Sequence, residues 1–185
     1  MTADRQRWIE GALFLIAYIA CIPAANWLIQ HVGTVCSPDG PCLVPVAPGL
    51  MAPSGVLMVG LALVLRDLVQ RRLGVMAGLC AIAAGGLLST EVAPPELVLA
   101  STVAFVLSEF ADFAVYTPLQ RRGLMLAVVA SSLVGLMADS LLFLWLAFGS
   151  LQFLAGQVVG KALMVLLTLP AINWLRRRDE RLQLV

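Results

Sequence analysis

The chain has 185 residues, of which 61% are hydrophobic and 12% are charged, and its formal net charge is +1. A soluble globular domain has about 25% charged residues, so this composition excludes a soluble fold. It predicts an all-α integral membrane protein, because apolar runs of about 20 residues recur and the short alternating runs of an outer-membrane barrel do not. The near-zero charge argues against nucleic acid as a partner, and no cofactor is expected.

Six apolar segments predict six transmembrane helices in a single membrane domain over residues 1–185. A helix needs about 20 residues, at a rise of about 1.5 Å each, to cross about 30 Å of hydrocarbon. The third segment is short and rich in Gly and Ala, which predicts close packing and makes it the candidate surface for a homodimer. The predicted spans are 8–30, 51–68, 75–90, 97–119, 124–148 and 153–175.

The first segment has two interpretations. Arg5 and Arg7, the apolar run that follows them and the small residues of "ACIPAA" resemble a cleaved signal peptide. The run is longer than the core of a signal peptide, which favours a transmembrane helix. Asn26 and Gln30 are four residues apart and therefore give this helix a polar face near its end.

The loop after the first segment contains two cysteines. Cys36 and Cys42 flank "SPDGP", and Pro-Asp-Gly is a turn sequence that can bring two sulfur atoms together. In an oxidising compartment this arrangement predicts a disulfide and a stiff external cap. Two free thiols, or a metal site that also uses His31, are the alternatives.

The second and fourth segments contain carboxylates where lipid would favour apolar residues. Asp67 follows Arg66 near the inner end of the second segment, and this pair is either an interfacial ion pair or part of a binding site. In the fourth, "STVAFVLSEFADFAVYTPL", Glu109 and Asp112 are three residues apart and share a helix face. Phe105 is four residues before Glu109, which makes it the best candidate to stack on a flat ligand.

The fifth and sixth segments add further polar positions. Ser131 and Asp139 lie on one face of the fifth, and Gln157 and Lys161 lie on one face of the sixth. An ionisable group at bilayer depth costs at least about 2.5–3.5 kcal/mol, so such groups face the bundle interior or a wet cavity. One lysine can neutralise only one of the three deep carboxylates. The excess therefore predicts a polar cavity, with Glu109 as a second ligand acceptor or as the partner of Lys161.

The distribution of charge predicts the orientation. With six spans, all eleven arginines fall on one side of the membrane, whereas Asp39, Glu91 and Glu96 fall on the other. The positive-inside rule places the arginine side, and with it both termini, in the cytoplasm of a bacterial cell with the chain in its inner membrane. The arginines are Arg5, Arg7, Arg66, Arg71, Arg72, Arg121, Arg122, Arg176, Arg177, Arg178 and Arg181.

Five blocks of the sequence, in order and at similar spacing, resemble the VUT family of vitamin uptake transporters, whose characterised members take up queuosine precursors. The first two blocks are "AANWLIQ" and "GVLMVGLALVLRDLVQRRLG". The fourth and fifth helices correspond to "LASTVAFVLSEFADFAVYTPLQRR" and "SSLVGLMADSLLFLWLAFG", and the sixth to the Lys-containing "GKALMVLLTLP". The resemblance also extends to the six-helix substrate-binding subunits of energy-coupling-factor vitamin transporters.

The resemblance implies a non-enzymatic transporter for 7-cyano-7-deazaguanine or its aminomethyl relative. Glu109 occupies a place where relatives often have Gln, and Glu can carry a charge that Gln cannot. The position-by-position match implies a site of Asn26, Asp67, Asp112, Asp139 and Lys161, to which the helix faces add Phe105, Glu109 and Gln157.

Two other classes of function stay open at this point. One is a vitamin-binding membrane subunit that depends on a separate energising module, and the other is a structural or assembly protein without transport. No phosphate-binding Gly-rich loop with Lys and Ser or Thr occurs, so the chain is not expected to hydrolyse ATP itself. Proton coupling and facilitated diffusion are both compatible with the buried carboxylates.

Overall fold

The computed structural model describes residues 3–36 and 40–182, and these are mostly helical. A helical fold is what the composition predicts, and that part of the prediction is confirmed. Glycines with positive φ, Gly74, Gly123 and Gly149, separate successive helices where the chain reverses. The six long helices are α1 Ala3–His31, α2 Val56–Leu73, α3 Val75–Val92, α4 Val98–Leu119, α5 Leu124–Phe148 and α6 Leu154–Leu182.

Five of these six helices, all except α2, are long and apolar enough to cross a membrane. The chain is therefore a multi-pass membrane protein. The helix α2 is less apolar because it carries Asp67 and three arginines, but its charged side chains turn into the bundle: Arg66 and Asp67 have no exposed surface. A sixth span over α2, and the orientation of both termini, stay predictions.

The second and sixth predicted segments show the clearest differences from the helices of the structure. The second segment was expected to begin at Met51, whereas the helix begins at Val56 and continues to Leu73. Met51 instead lies in a strand that ends at Pro53, a residue without the N–H that a helix interior requires. The sixth helix extends past the predicted end at residue 175 to Leu182, because its arginine-rich tail continues the helix.

A small antiparallel sheet lies between α1 and α2, and the sequence analysis did not predict it. Its strands are β1 Val35–Cys36, β2 Cys42–Ala47 and β3 Leu50–Pro53, in the order β1-β2-β3. A disulfide joins Cys36 and Cys42, which are register partners of β1 and β2. This is the pairing that the sequence favours over two free thiols.

Residues 37–39, which include the predicted turn and Asp39, lie outside the described residues. His31 is exposed, donates a hydrogen bond from Nδ1 to the carbonyl oxygen of Trp27 at 2.9 Å, and stacks on the Trp27 ring. Within the described residues no group of three metal-ligating side chains occurs. The alternative of a metal site at His31 and the two cysteines therefore has no support in the structure.

Glycines allow several helices to approach at backbone distance. A methyl group on Gly85 of α3 would lie 2.6 Å from the Phe105 ring, and one on Gly86 would lie 2.8 Å from Val106. Two glycines of α3 thus pack against α4 inside the protomer, while Cys80 faces outwards. The homodimer stays a prediction.

An ion-pair network ties α1, α2 and α6 together at the end of the bundle that carries the helix-terminal arginines. Arg72 donates to both carboxylate oxygens of Asp179, at 2.7 and 3.0 Å, and Arg71 donates to Asp179 Oδ2 at 3.0 Å. Arg178 donates to Glu10 Oε2 at 2.6 Å. Asp179 has no exposed side-chain surface. We call this end the arginine-rich end.

Candidate functional site

A cavity lies in the half of the bundle nearest the sheet, with wall residues from all six helices. The space open to the centres of water molecules is about 70 Å³. One water needs about 10–15 Å³ by this measure, so the cavity can hold several. Six of the eight predicted site residues line it: Asn26, Phe105, Glu109, Asp139, Gln157 and Lys161.

Lys161 of α6 is held by three polar groups on the cavity wall. Its Nζ lies 2.5 Å from Asp139 Oδ2, 2.6 Å from Gln157 Oε1 and 2.8 Å from Ser140 Oγ. An ammonium group has three donors, so these contacts satisfy Lys161 without a ligand. Asp139 Oδ1 makes no hydrogen bond to the described residues and is available to a ligand. Of the two roles left open for Glu109, the pairing with Lys161 is not found, because Asp139 takes that place.

The rest of the cavity wall is largely apolar and includes two aromatic rings. Phe105 packs against Gly85 and Tyr18, and Phe143 of α5 also lines the cavity. The sequence analysis did not single out Phe143, which lies four residues, about one helical turn, after Asp139. Asn26 donates to the carbonyl oxygen of Ile22, which leaves its own side-chain oxygen facing the cavity region. Flat surfaces with a few polar groups are typical of sites for small organic ligands.

A buried arginine joins three carboxylates beneath the cavity. Arg66 Nε donates to Glu109 Oε2 at 3.0 Å, Arg66 Nη1 lies 3.0 Å from Asp67 Oδ1, and Arg66 Nη2 donates to Asp112 Oδ1. The guanidinium also lies 5.7 Å from the Tyr116 ring centre and has no exposed surface. We call Arg66, Asp67, Glu109 and Asp112 the Arg66 cluster.

Asp67 and Asp112 do not line the cavity. Of the two acids predicted to share a face of α4, Glu109 lies on the cavity wall. Asp112 is instead turned towards Gly135 of α5, where its Oδ2 would lie 3.1 Å from an added methyl group. Asp67 does not lie at the surface of the bundle, where an ion pair at the membrane boundary would place it. It is fully buried and accepts a hydrogen bond from Ser131 at 2.9 Å.

Arg66 was not among the predicted site residues, although it lies at the centre of the cluster. It was counted among the arginines at the membrane boundary because the second segment was ended at residue 68. In the structure Arg66 is eleventh in a helix that begins at Val56 and ends at Leu73, so about 15 Å of helix precedes it. The apolar residues around it in "LVLRDLV" are the signal that places it at depth.

The cavity wall and the Arg66 cluster together contain more acids than bases. Asp67, Glu109, Asp112 and Asp139 face two cations, Arg66 and Lys161. If all six groups were ionised, the net charge would be −2 in a region that excludes bulk water. Because uncompensated charge is costly there, the site favours protons or a positively charged ligand group.

Comparison with known proteins finds a similarity to one described family. Residues 89–175 match the family model described as "Putative vitamin uptake transporter". Over this segment, a little under half of the chain, the protein is similar to that family. The vitamin uptake transporter segment includes α4, α5 and most of α6, and with them Phe105, Glu109, Asp139 and Lys161. Asn26 and Arg66 lie before it.

Similarity to a transporter family suggests a small-molecule substrate and a non-enzymatic role. No curated protein and no solved structure matches the chain.

Proposed function

We propose that the protein is a transporter of the bacterial inner membrane that takes up a queuosine precursor, 7-cyano-7-deazaguanine or its aminomethyl relative. The observation that carries this proposal is the cavity, which combines available carboxylate oxygens with aromatic walls in a chain similar to a vitamin uptake family. With both termini in the cytoplasm, the cavity and the sheet lie towards the outside.

The chemistry of a deazaguanine suits such a wall. Its amidine edge carries N–H donors, and a buried carboxylate accepts them in charge-assisted hydrogen bonds. Glu109 and Asp139 are the acceptors on the wall, and each has one oxygen bound to a cation and one that makes no hydrogen bond to the described residues. Asn26 can pair with the remaining polar edge of the ring.

The aromatic residues support a planar ligand. Phe105 and Phe143 line the same cavity as the carboxylates, and aromatic rings favour offset or edge-to-face contact with a flat heterocycle. Gln157 and Lys161 complete the site as the residues that hold Asp139 in place. Asp67 and Asp112 bind Arg66, which in turn binds Glu109 on the cavity wall.

The glutamate at position 109 favours the aminomethyl relative. This ligand carries a positive charge, whereas the cyano compound does not. A carboxylate that already contacts one cation still has lone pairs for a second donor. The excess of acids over bases in the site also favours a positively charged ligand.

Direct binding tests the proposal. The purified protein is titrated with 7-cyano-7-deazaguanine and with its aminomethyl relative, and guanine and riboflavin serve as control ligands. We expect both deazapurines to bind and riboflavin not to bind. Glu109→Gln should weaken binding of the aminomethyl compound by about tenfold, as expected for a lost charge-assisted bond of about 1.5 kcal/mol. Tight riboflavin binding, or no binding of either deazapurine, would contradict the assignment.

Reconstitution separates transport from the two alternatives. Liposomes that contain the protein alone are assayed for exchange of labelled deazapurine across the bilayer. Exchange by the protein alone is expected and would exclude a need for a separate energising module. Binding without exchange would instead favour a binding subunit, and neither activity would favour a structural protein. Glu96→Gln, which removes an exposed acid outside the cavity, is the matched control for the Glu109 variant.

A further inference from the structure

The Arg66 cluster contains two carboxyl groups that share one guanidinium. Asp67 of α2 and Asp112 of α4 both contact Arg66, through Nη1 and Nη2 of the same side chain. Asp67 Oδ1 and Asp112 Oδ2 are buried and make no hydrogen bond to the described residues, although Asp67 Oδ1 lies 3.0 Å from Arg66 Nη1. Two ionised carboxylates on one guanidinium repel each other, whereas one shared proton replaces this repulsion with a hydrogen bond.

The cations and donors around the pair do not remove the need for this proton. Arg66 supplies one positive charge to three carboxylates, and Ser131 donates to Asp67 Oδ2 at 2.9 Å. Lys161 is engaged with Asp139. The neutral polar or titratable groups packed near the cluster are Tyr18 and Cys21 of α1, Gln70 of α2, Tyr116 and Thr117 of α4 and Ser132 of α5.

Glu109 connects the pair to the cavity. It is the member of the Arg66 cluster that lines the cavity, and it shares the Arg66 guanidinium with Asp112. A proton that arrives in the cavity reaches Glu109 first. Protonation of Glu109 weakens its ion pair with Arg66 and leaves the arginine to Asp67 and Asp112.

We propose that the Arg66 cluster is a proton-binding site that couples uptake to proton entry, with the proton held between Asp67 and Asp112 and exchanged with the cavity through Glu109. The step makes one O–H bond on a carboxylate oxygen as the proton leaves the cavity, and breaks it when the proton leaves towards the arginine-rich end. No electron transfer or co-reactant is involved. The inference rests on the proposed transport function but does not depend on which deazapurine is carried.

The position of the cluster fits a coupling role. It lies between the cavity and the ion-pair network of Arg72 and Asp179, so it separates the substrate from the arginine-rich end. Substrate that passes inwards must cross this layer or displace it. Binding of one proton changes the net charge of the Arg66 cluster. The cluster can therefore have one arrangement with the proton and another without it, as ion-coupled transport requires.

Proteoliposomes test the proposal with the full chain. Labelled 7-cyano-7-deazaguanine and its aminomethyl relative are each supplied outside, with a pH dye trapped inside, and the outside is made one pH unit more acidic. One coupled proton permits accumulation of up to about tenfold at this gradient, because one pH unit equals a tenfold equilibrium factor. We expect accumulation, and acidification inside that depends on substrate. Exchange of labelled deazapurine across the bilayer is measured in parallel with equal pH on both sides, because exchange reports transport without a proton gradient.

The variants then locate the proton site. Asp67→Asn and Asp112→Asn should lower the ratio of gradient-driven uptake to exchange to that of uncoupled transport, and Glu109→Gln should slow the proton step. Ser131→Ala keeps both carboxyl groups and should move the pH profile of gradient-driven uptake towards higher pH, because it removes a donor to the ionised form. Glu96→Gln should behave as the wild type.

The outcomes separate this inference from the proposed function. Exchange without any pH-driven accumulation in the wild type would overturn proton coupling and leave transport intact. Coupling that survives in both Asn variants and an unmoved profile in Ser131→Ala would overturn the assignment to this cluster. Absence of both binding and exchange in the wild type would overturn the proposed function itself. If the Asn variants fail to fold, the wild-type proton signal and the Ser131→Ala profile still decide.

Discussion

Gly60 of α2 and Lys161 of α6 are in contact through their backbones. A methyl group added at Gly60 would lie 2.8 Å from the carbonyl oxygen of Lys161 and 2.9 Å from its Cα. Backbone atoms cannot move aside as the end of a side chain can. Because Gly60 has no side chain, α6 can lie close to α2 at Lys161. This close contact sets the position of Lys161 and its three polar partners on the cavity wall.

Gly60→Ala should reduce both stability and ligand binding. The added methyl must push α6 away from α2, and overpacking of this kind costs about 1–3 kcal/mol. Thermal unfolding in detergent and deazapurine binding are the measurements. Gly78→Ala is the control, because its methyl group would approach no backbone atom as closely and would lie 3.3 Å from the nearest atom, Gln70 Cβ. Equal effects of the two substitutions would contradict the special role of the α2–α6 contact.

Lys161→Met should destabilise the protein more than the double substitution Lys161→Met with Asp139→Asn. The single change leaves Asp139 as a buried charge without its partner, which costs about 3–5 kcal/mol. The double change removes both charges and should recover much of that loss. Unfolding free energies of the two single variants and the double variant give the coupling energy directly. Purely additive effects would show that the 2.5 Å contact has no energetic weight.

Asp179→Asn should destabilise the arginine-rich end, whereas Glu180→Gln should not. Asp179 is fully buried and accepts hydrogen bonds from Arg71 and Arg72, so the substitution leaves two arginines short of a counter-charge. We expect a loss of about 3 kcal/mol in unfolding free energy. Glu180 is 61% exposed and pairs with Arg176 at 3.7 Å, so its effect should stay within about 0.5 kcal/mol. Similar losses for both would count against the network.

Reduction of the Cys36–Cys42 disulfide should lower the thermal stability of the wild type. The bond closes a loop with a sequence separation of six, for which chain entropy predicts about 2 kcal/mol. A variant with Ser at both positions should match the reduced wild type and should no longer respond to reductant. Unfolding followed with and without dithiothreitol is the measurement. A response to reductant in the double variant would mean that the effect has another origin.

Fluorescent fusion proteins test the predicted orientation. Green fluorescent protein joined after residue 185 should fluoresce, because the positive-inside rule places that end in the cytoplasm. The same protein inserted at Gly49, in the turn between β2 and β3, should remain dark when exported unfolded. The opposite pattern would invert the topology and place the cavity on the cytoplasmic side.

Local patterns of the sequence determined the elements that lie within single segments. Apolar length predicted α1, α3, α4 and α5 to within a few residues, since a helix satisfies its own backbone hydrogen bonds wherever lipid surrounds it. The sheet was not predicted, because "CLVPVAPGLMAP" is apolar as well as alternating and was partly read as the start of a helix. Strand pairing depends on a partner segment, which hydropathy does not identify.

The sequence by itself determined that a membrane protein would carry acids, an amine and an amide inside its bundle, because the energetic cost of burial requires such groups to face inwards. Only the tertiary structure decided how they pair. It paired Arg66 with Glu109 and Asp112, which are 43 and 46 residues away in the chain. It paired Lys161 with Asp139 and placed Asp112 outside the cavity lining. Electrostatic partners are chosen by distance in space, and helical periodicity fixes only the face on which a residue lies.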